Sequence, residues 1–194
     1  NKEGVYAIYD LGGGTFDISI LKLDKGVFRV LATGGNTSMG GDDIDHLIAQ
    51  DFLTKNNLTL RSSEDLNELL QKTKILKENL TFESEEHFIA FDIKYTLTQT
   101  QFNLLIQPIL NESLLVFKNT LKDAELKPKD LSGIVLVGGT TRIPELQNAI
   151  EAEFGQKPLS NINPDEIVAL GAAIQAYGLT KGSDHLLLDV IPLS

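Results

Sequence analysis

The hydrophobic pattern changes period several times along the chain, and each change marks an element. Residues 5–9, 18–23 and 27–33 read as strands, separated by Gly12-Gly13-Gly14 and by Asp24-Lys25-Gly26, whose last two residues suit a tight hairpin turn. The expectation is a three-stranded antiparallel meander. Gly40-Gly41 then opens a helical stretch over 42–55, with Ile44, Leu47, Ile48 and Phe52 on one face and acids in the first turn, where the helix dipole favours them.

Residues 63–81 predict a second helix, capped by Ser63, with Leu66, Leu69, Leu70, Leu76 and Leu80 along one stripe. Residues 86–97 alternate as Phe88, Ala90, Asp92 against Ile89, Phe91, Ile93 and predict a strand pair. Thr98 starts a long amphipathic helix to about residue 124. Together these elements form a small α+β insertion. Gly133-Ile134-Val135-Leu136-Val137-Gly138-Gly139 is an all-apolar run of the kind found in fully buried sheet strands, and a helix follows over 144–154, stopped by Gly155. Asn163-Pro164-Asp165-Glu166 is a complete helix start, and Gly171-Ala172-Ala173 is expected to let that helix lie close to whatever is behind it.

Composition narrows the function classes. The 194 residues are 42% hydrophobic and 23% charged, which is globular, and 17 Lys and Arg against 27 Asp and Glu give a net charge of -10. A nucleic-acid partner is not expected, because phosphate backbones select basic surfaces, whereas a small anion can still be held locally by backbone N–H groups. No cysteine is present, so disulfides, thiol nucleophiles and thiolate metal sites are excluded. No apolar run approaches the roughly 18 residues of a membrane span, so no membrane partner is expected, and both ends read as cuts through a longer protein.

Two motifs carry chemistry. In Asp10-Leu11-Gly12-Gly13-Gly14-Thr15-Phe16-Asp17 a strand delivers an acid to its carboxyl end, three glycines turn the chain, and Thr15 and a second acid begin the return strand. Glycines let a phosphate approach the backbone, and successive N–H groups form an anion nest. Asp10 and Asp17 repel a bare phosphate but suit one carrying Mg²⁺. The alternative is a glycine-rich hairpin with a polar loop; neither a P-loop lysine nor a dinucleotide fingerprint is present. In Val137-Gly138-Gly139-Thr140-Thr141-Arg142-Ile143-Pro144 two glycines open space for a flat ring and Arg142 offers a guanidinium that can stack on a base, the alternative being a plain strand-to-helix connection. Gly40-Gly41 reads as a helix-start turn ahead of a ligand contact. Lys77 lies within about 20° of the apolar stripe of its helix, so it either snorkels or points at a ligand. His46, His87 and His185 read as surface residues, and no Ser-His-Asp set or metal cluster can be assembled.

Taken together, Asp10 to Asp17, Gly34-Gly35 with Gly40-Gly41-Asp42-Asp43, Val135 to Pro144, Asn163 to Glu166 with Gly171 to Ala176, and Leu186-Leu187-Leu188-Asp189-Val190 followed by Pro192-Leu193-Ser194 resemble the DnaK-type heat-shock chaperones. The resemblance implies one lobe of an actin-like α/β ATPase fold, over 1–41 and 123–182, with the α+β insertion at 42–122 and an interdomain linker at 183–194. It also implies ATP or ADP and Mg²⁺ as ligands. Gly12, Gly13, Gly14 and Thr15 would hold the β and γ phosphates. Asp10 and Asp17, catalytic together with Thr15, would order metal-bound water and the attacking water. Gly138, Gly139, Thr140 and Arg142 would hold the adenosine, Lys77 and Thr81 the adenine and ribose, with Gly41 and Asp165 near the ribose. Lys74 stands where many members carry a glutamate, which puts adenine or ribose affinity in doubt.

Phe102, Leu105 and Ile106 with Pro108, and Val190-Ile191-Pro192, resemble the HscA branch that serves iron-sulfur cluster assembly. The function so implied is the nucleotide-binding lobe of an ATP-dependent chaperone, cytoplasmic or in an organelle matrix. Its partners are a J-domain co-chaperone, a client protein such as an iron-sulfur scaffold, and a nucleotide exchange factor. With the first lobe absent the chain alone is expected to be inactive as an ATPase. Rival readings are a lobe of a sugar kinase or other phosphotransferase, and a docking module for a co-chaperone or exchange factor. The aliphatic tail favours strand addition or a hydrophobic groove. In the resembling family it docks on this lobe with ATP, so without the first lobe it is expected to be disordered or captured by a neighbouring molecule.

Overall fold

The computed structural model describes residues 3–159, 171–173 and 176–177, and the backbone of 186–188. The expected meander is present as β1 (Gly4–Leu11), β2 (Phe16–Asp24) and β3 (Val27–Asn36), with antiparallel pairing throughout. Lys25 and Gly26 both take positive φ, 49° and 80°, the geometry of a two-residue hairpin turn whose twist matches the strands. β6 (Gly133–Val137) joins β1 in parallel, and the sheet runs β6-β1-β2-β3-β7. β6 ends this order, yet its outer edge is not bare: Leu159 N–H donates to Ile134 O at 2.8 Å and bridges Val135 in parallel.

One face of the sheet carries Ala7, Tyr9, Leu11, Phe16, Ile18, Ile20, Ile134 and Leu136 into the core. α3 (Gln99–Asp123) and α4 (Pro144–Phe154) cover it, with Phe117 and Phe154 in ring contact at 4.0 Å. The Tyr9 hydroxyl donates to Ser113 Oγ at 2.6 Å, and burial pushes its acidity well below that of a free phenol. α4 ends where expected, at Gly155 in the left-handed region.

The same core continues into α1 (Gly41–Lys55), α2 (Ser63–Asn79), the β4 (Glu85–Ala90) and β5 (Ile93–Thr98) hairpin, and the first half of α3. Phe52 meets Phe88 and Tyr95 here, and Asp51 on α1 accepts a short hydrogen bond from the Tyr95 hydroxyl. The hairpin turns at Phe91 and Asp92, both at positive φ. This two-residue turn switches the parity of the buried positions, from Phe88 and Ala90 to Tyr95 and Leu97. The α2 cap is Ser62, one residue before the expected Ser63, and its side chain accepts from Asp65 N–H at 3.1 Å. Thr98 caps α3 as expected, in a reciprocal box with Gln101.

Two expectations are corrected. Gly171, Ala172 and Ala173 are helical but exposed, and a Cβ on Gly171 would meet nothing within 4 Å, so their small size serves no close packing among the described residues. The tail is paired at 186–188 rather than disordered there: β7 (Leu186–Leu188) pairs in parallel with Val27, Phe28 and Arg29 on the free edge of β3. An exposed edge offers unpaired backbone groups, and an aliphatic segment from the same chain satisfies them. The helix start at Asn163 and the Val190-Ile191-Pro192 segment lie outside the described residues.

Candidate functional site

Four pieces of chain converge on one cleft of about 540 Å³: the β1–β2 loop through Gly13, the start of α1 through Gly41 and Asp42, the end of α2 from Lys74 to Phe82, and the turn after β6 through Gly139, Thr140 and Arg142. Their convergence has a backbone cause. A helix start leaves N–H groups without internal acceptors, and here the loop supplies them. Gly41 N–H donates to Gly12 O at 3.0 Å and Asp42 N–H to Gly13 O at 2.7 Å, while Thr140 Oγ1 donates to Gly12 O at 2.8 Å. Gly40 lies so close that a Cβ there would collide with Gly13 O and Gly14 N, which explains the first glycine of the pair as a packing requirement. Gly41 faces the cleft, and its Cβ would lie 2.7 Å from Thr140 Oγ1 and 3.0 Å from Lys77 Nζ.

The three glycines of the loop differ from these. None of Gly12, Gly13 and Gly14 has positive φ, and the nearest atoms to an added Cβ would be Thr15 O at 3.7 Å, Asp42 Oδ1 at 3.6 Å and Asp42 Oδ2 at 3.9 Å respectively. Neither backbone conformation nor packing requires glycine there. Gly12 N–H donates to Thr15 O, whereas the N–H groups of Gly13 and Gly14 meet no acceptor among the described residues. Gly138 is the opposite case. Its φ of 87° and the closeness of Leu11 O and Asp10 Oδ1 demand glycine for the fold itself.

Asp10 and Asp17 are directly opposed across β1 and β2. Neither forms an ion pair among the described residues. Burial, and then repulsion from Asp17, hold the Asp10 carboxyl above the ordinary aspartate range. Two like charges set side by side without a basic partner fit a divalent cation held through water, whose hydration shell accepts carboxylates at second-shell distance. Among the described residues no group of three or more direct metal ligands exists.

The open choice at Lys77 resolves inward. Its side chain is buried, and Nζ donates to Gly41 O at 2.7 Å and pairs with Asp45 Oδ1 at 2.9 Å. Burial raises the Asp45 carboxyl and Lys77 opposes that shift. Asp45 is a residue that sequence reasoning missed, although its place one residue after Ile44 on the helix made it visible as an acid beside an apolar stripe.

Gly13, Gly41, Lys77, Thr81, Gly139, Thr140 and Arg142 therefore line the cleft, with Lys74 beside them. Gly12, Gly138, Asp10, Asp17, Gly14 and Thr15 stand on the strand ends and loop behind it rather than in its lining. Asp165 lies outside the described residues. Glu78, Asn79, Phe82 and Ile143 also line the cleft and were not expected. His46 and His87 are exposed, as expected; the ring Nδ1 of His46 lies 2.8 Å from Asp42 O, and His87 lies outside the cleft lining.

A mixed sheet whose strand ends carry paired acids and a glycine loop, closed by a helix start and by the helices and hairpin between β3 and β6, is the arrangement of one lobe of the actin-like ATPase class. The Hsp70 protein family model matches residues 1–194, and the chain belongs to that family, whose fold is the actin-like ATPase fold. The chain is similar to the chaperone protein HscA homolog of Variovorax paradoxus (strain S110), 48% identical over 203 residues. It is also 46% identical over 196 residues to that of Haemophilus influenzae (strain PittGG). Similarity to the chaperone protein HscA of Pectobacterium carotovorum subsp. carotovorum (strain PC1) is 46% over 197 residues. Each alignment covers 100% of this chain and 32% of the relative, so the chain spans about a third of the length of these relatives. Among the described residues no helix is long and apolar enough to cross a membrane.

Proposed function

We propose that the cleft is one half of an ATP and ADP site, and that this chain is the nucleotide-binding lobe of an HscA-type chaperone whose ATP turnover switches affinity for client protein. The observation that carries the reading is the Gly12-Gly13-Gly14 loop: the fold has room for a Cβ at all three positions, and a ligand pressed against the backbone accounts for three glycines in a row. The bare N–H groups of Gly13 and Gly14 and the Thr15 hydroxyl hold the β and γ phosphates. Asp10 and Asp17 hold Mg²⁺ through water, the metal supplying charge neutralisation on the phosphates. The same carboxylates orient the attacking water. Lys77 and Thr81 face the ribose and adenine, and Gly139, Thr140 and Arg142 form the adenosine wall, with Gly41 at the ribose.

Phosphoryl transfer needs electrostatic stabilisation around the whole phosphate chain, so hydrolysis draws on a first lobe as well as on these residues. The division into a lobe over 1–41 and 123–182, an insertion over 42–122 and a linker over 183–194 is part of the same reading. So are its partners, a J-domain co-chaperone, an iron-sulfur scaffold client and an exchange factor, and its place in the cytoplasm or an organelle matrix.

Calorimetric titration with ADP tests it. The chain is expected to bind ADP, and Gly13→Ala is expected to keep the thermal midpoint while weakening ADP by about tenfold, which is about 1.4 kcal/mol. A chain that binds no ADP, or a variant that binds it unchanged, contradicts the reading.

A further inference from the structure

Phe82 is 80% exposed and lines the cleft, and it is the aromatic residue among those that do. Its backbone is not a free loop. Thr81 N–H donates to Glu78 O at 3.3 Å, and Phe82 and Glu83 N–H both donate to Asn79 O at 2.9 Å. Gln99 Nε2 donates to Leu80 O at 3.2 Å, and Leu80, two residues before the ring, is buried. The turn after α2 is thus pinned from both sides, with one apolar side chain inward and the next one held out over the cleft. Its neighbours Glu83, Ser84 and Glu85 are polar, so the ring stands alone among solvated side chains at the rim of the cleft.

We propose that Phe82 is a base-stacking residue that gives the cleft a preference for purine nucleotides. This rests on the nucleotide reading above and adds a residue and a specificity to it. A nucleobase is apolar on its faces and polar at its edges, and this end of the cleft has the matching division: a ring at Phe82 and a guanidinium at Arg142 for faces, and the Thr81 hydroxyl for an edge. Stacking on an aromatic side chain strengthens with the size of the base, so a purine gains more than a pyrimidine. The ring of Phe82 stands where it is wetted until a base covers it, so its burial is realised only in the complex.

The chain contains no tryptophan, so Phe82→Trp installs a single indole reporter. Its emission is expected to fall on titration with ADP and to ignore pyrophosphate, which has no base. Phe82→Ser is expected to keep the thermal midpoint, bind ADP about tenfold more weakly, bind pyrophosphate as before, and narrow the preference for ADP over UDP. If Phe82→Ser binds ADP with full affinity, or the indole does not respond to ADP, the stacking role is overturned while the nucleotide reading stands. If the unsubstituted chain binds no ADP by calorimetry, the reading falls and the stacking role with it.

Discussion

At the end of β1 and the start of β2, Asp10 and Asp17 stand opposite each other, and like charges in that position destabilise a strand pair. Folding raises the Asp10 carboxyl, so the folded chain holds that proton more tightly than the unfolded one. The contribution of Asp10 to stability is therefore intact below the ordinary aspartate value and is lost as pH rises through the raised one. At neutral pH Asp10 is a cost, and Asp10→Asn should stabilise the free chain by about 0.2–1 kcal/mol, an advantage that disappears below about pH 4. Thermal unfolding of both proteins at the two pH values checks this, and a lower midpoint for the variant at pH 7 would contradict it. The pair was legible in the sequence because a strand, a glycine turn and a strand bring flanking residues together. The Lys77–Asp45 pair was only half legible. The angle of Lys77 on its helix placed it at the buried stripe, but the acid that meets it comes from another helix, and no local spacing reports that.

Elements meet through glycines as well as through side chains. Gly34 on β3 lies under α3, where a Cβ would overlap Thr120 Oγ1 and touch Ile18 Cγ2 and Val116 Cγ1 at 3.4 Å. Thr120 cannot easily turn aside, since its hydroxyl donates to Val116 O at 2.9 Å. Gly34→Ala should therefore cost about 1–3 kcal/mol in urea unfolding, and Gly34→Ala with Thr120→Ala should recover part of it. Additive losses would show that α3 does not press on β3 at this point. Helix limits were largely legible, because caps are local chemistry: Thr98 and Gly155 fall where expected and Ser62 is one residue from its expected place. The parity switch at Phe91 and Asp92 was not, because Asp92 tolerates positive φ but a bulky residue such as Phe91 rarely adopts it.

Across the described residues, α3 runs the length of one core. Its first half packs Phe102 and Ile106 near α1 and β5, and its second half packs Phe117 and Leu121 against the sheet. The cleft opens where α1 and α2 meet the strand ends, and its lining comes from segments more than 100 residues apart in sequence. Each motif was visible along the chain; their convergence depended on the hydrogen bonds from Gly41, Asp42 and Thr140 to the glycine loop, which no single segment encodes. The tail shows the same limit, since its aliphatic character predicted strand addition without naming the edge of β3 as the acceptor.

The central claim is that these segments form one nucleotide site, and amide chemical-shift mapping of the ¹⁵N-labelled chain with Mg²⁺ and ADP tests it most directly. Shifts are expected together at Gly13 to Thr15, Gly41, Lys77 to Phe82 and Gly139 to Arg142, saturating with a single dissociation constant. Shifts confined to one of these segments, shifts centred elsewhere such as the face between α1 and α3, or no shifts at roughly millimolar ADP would contradict it.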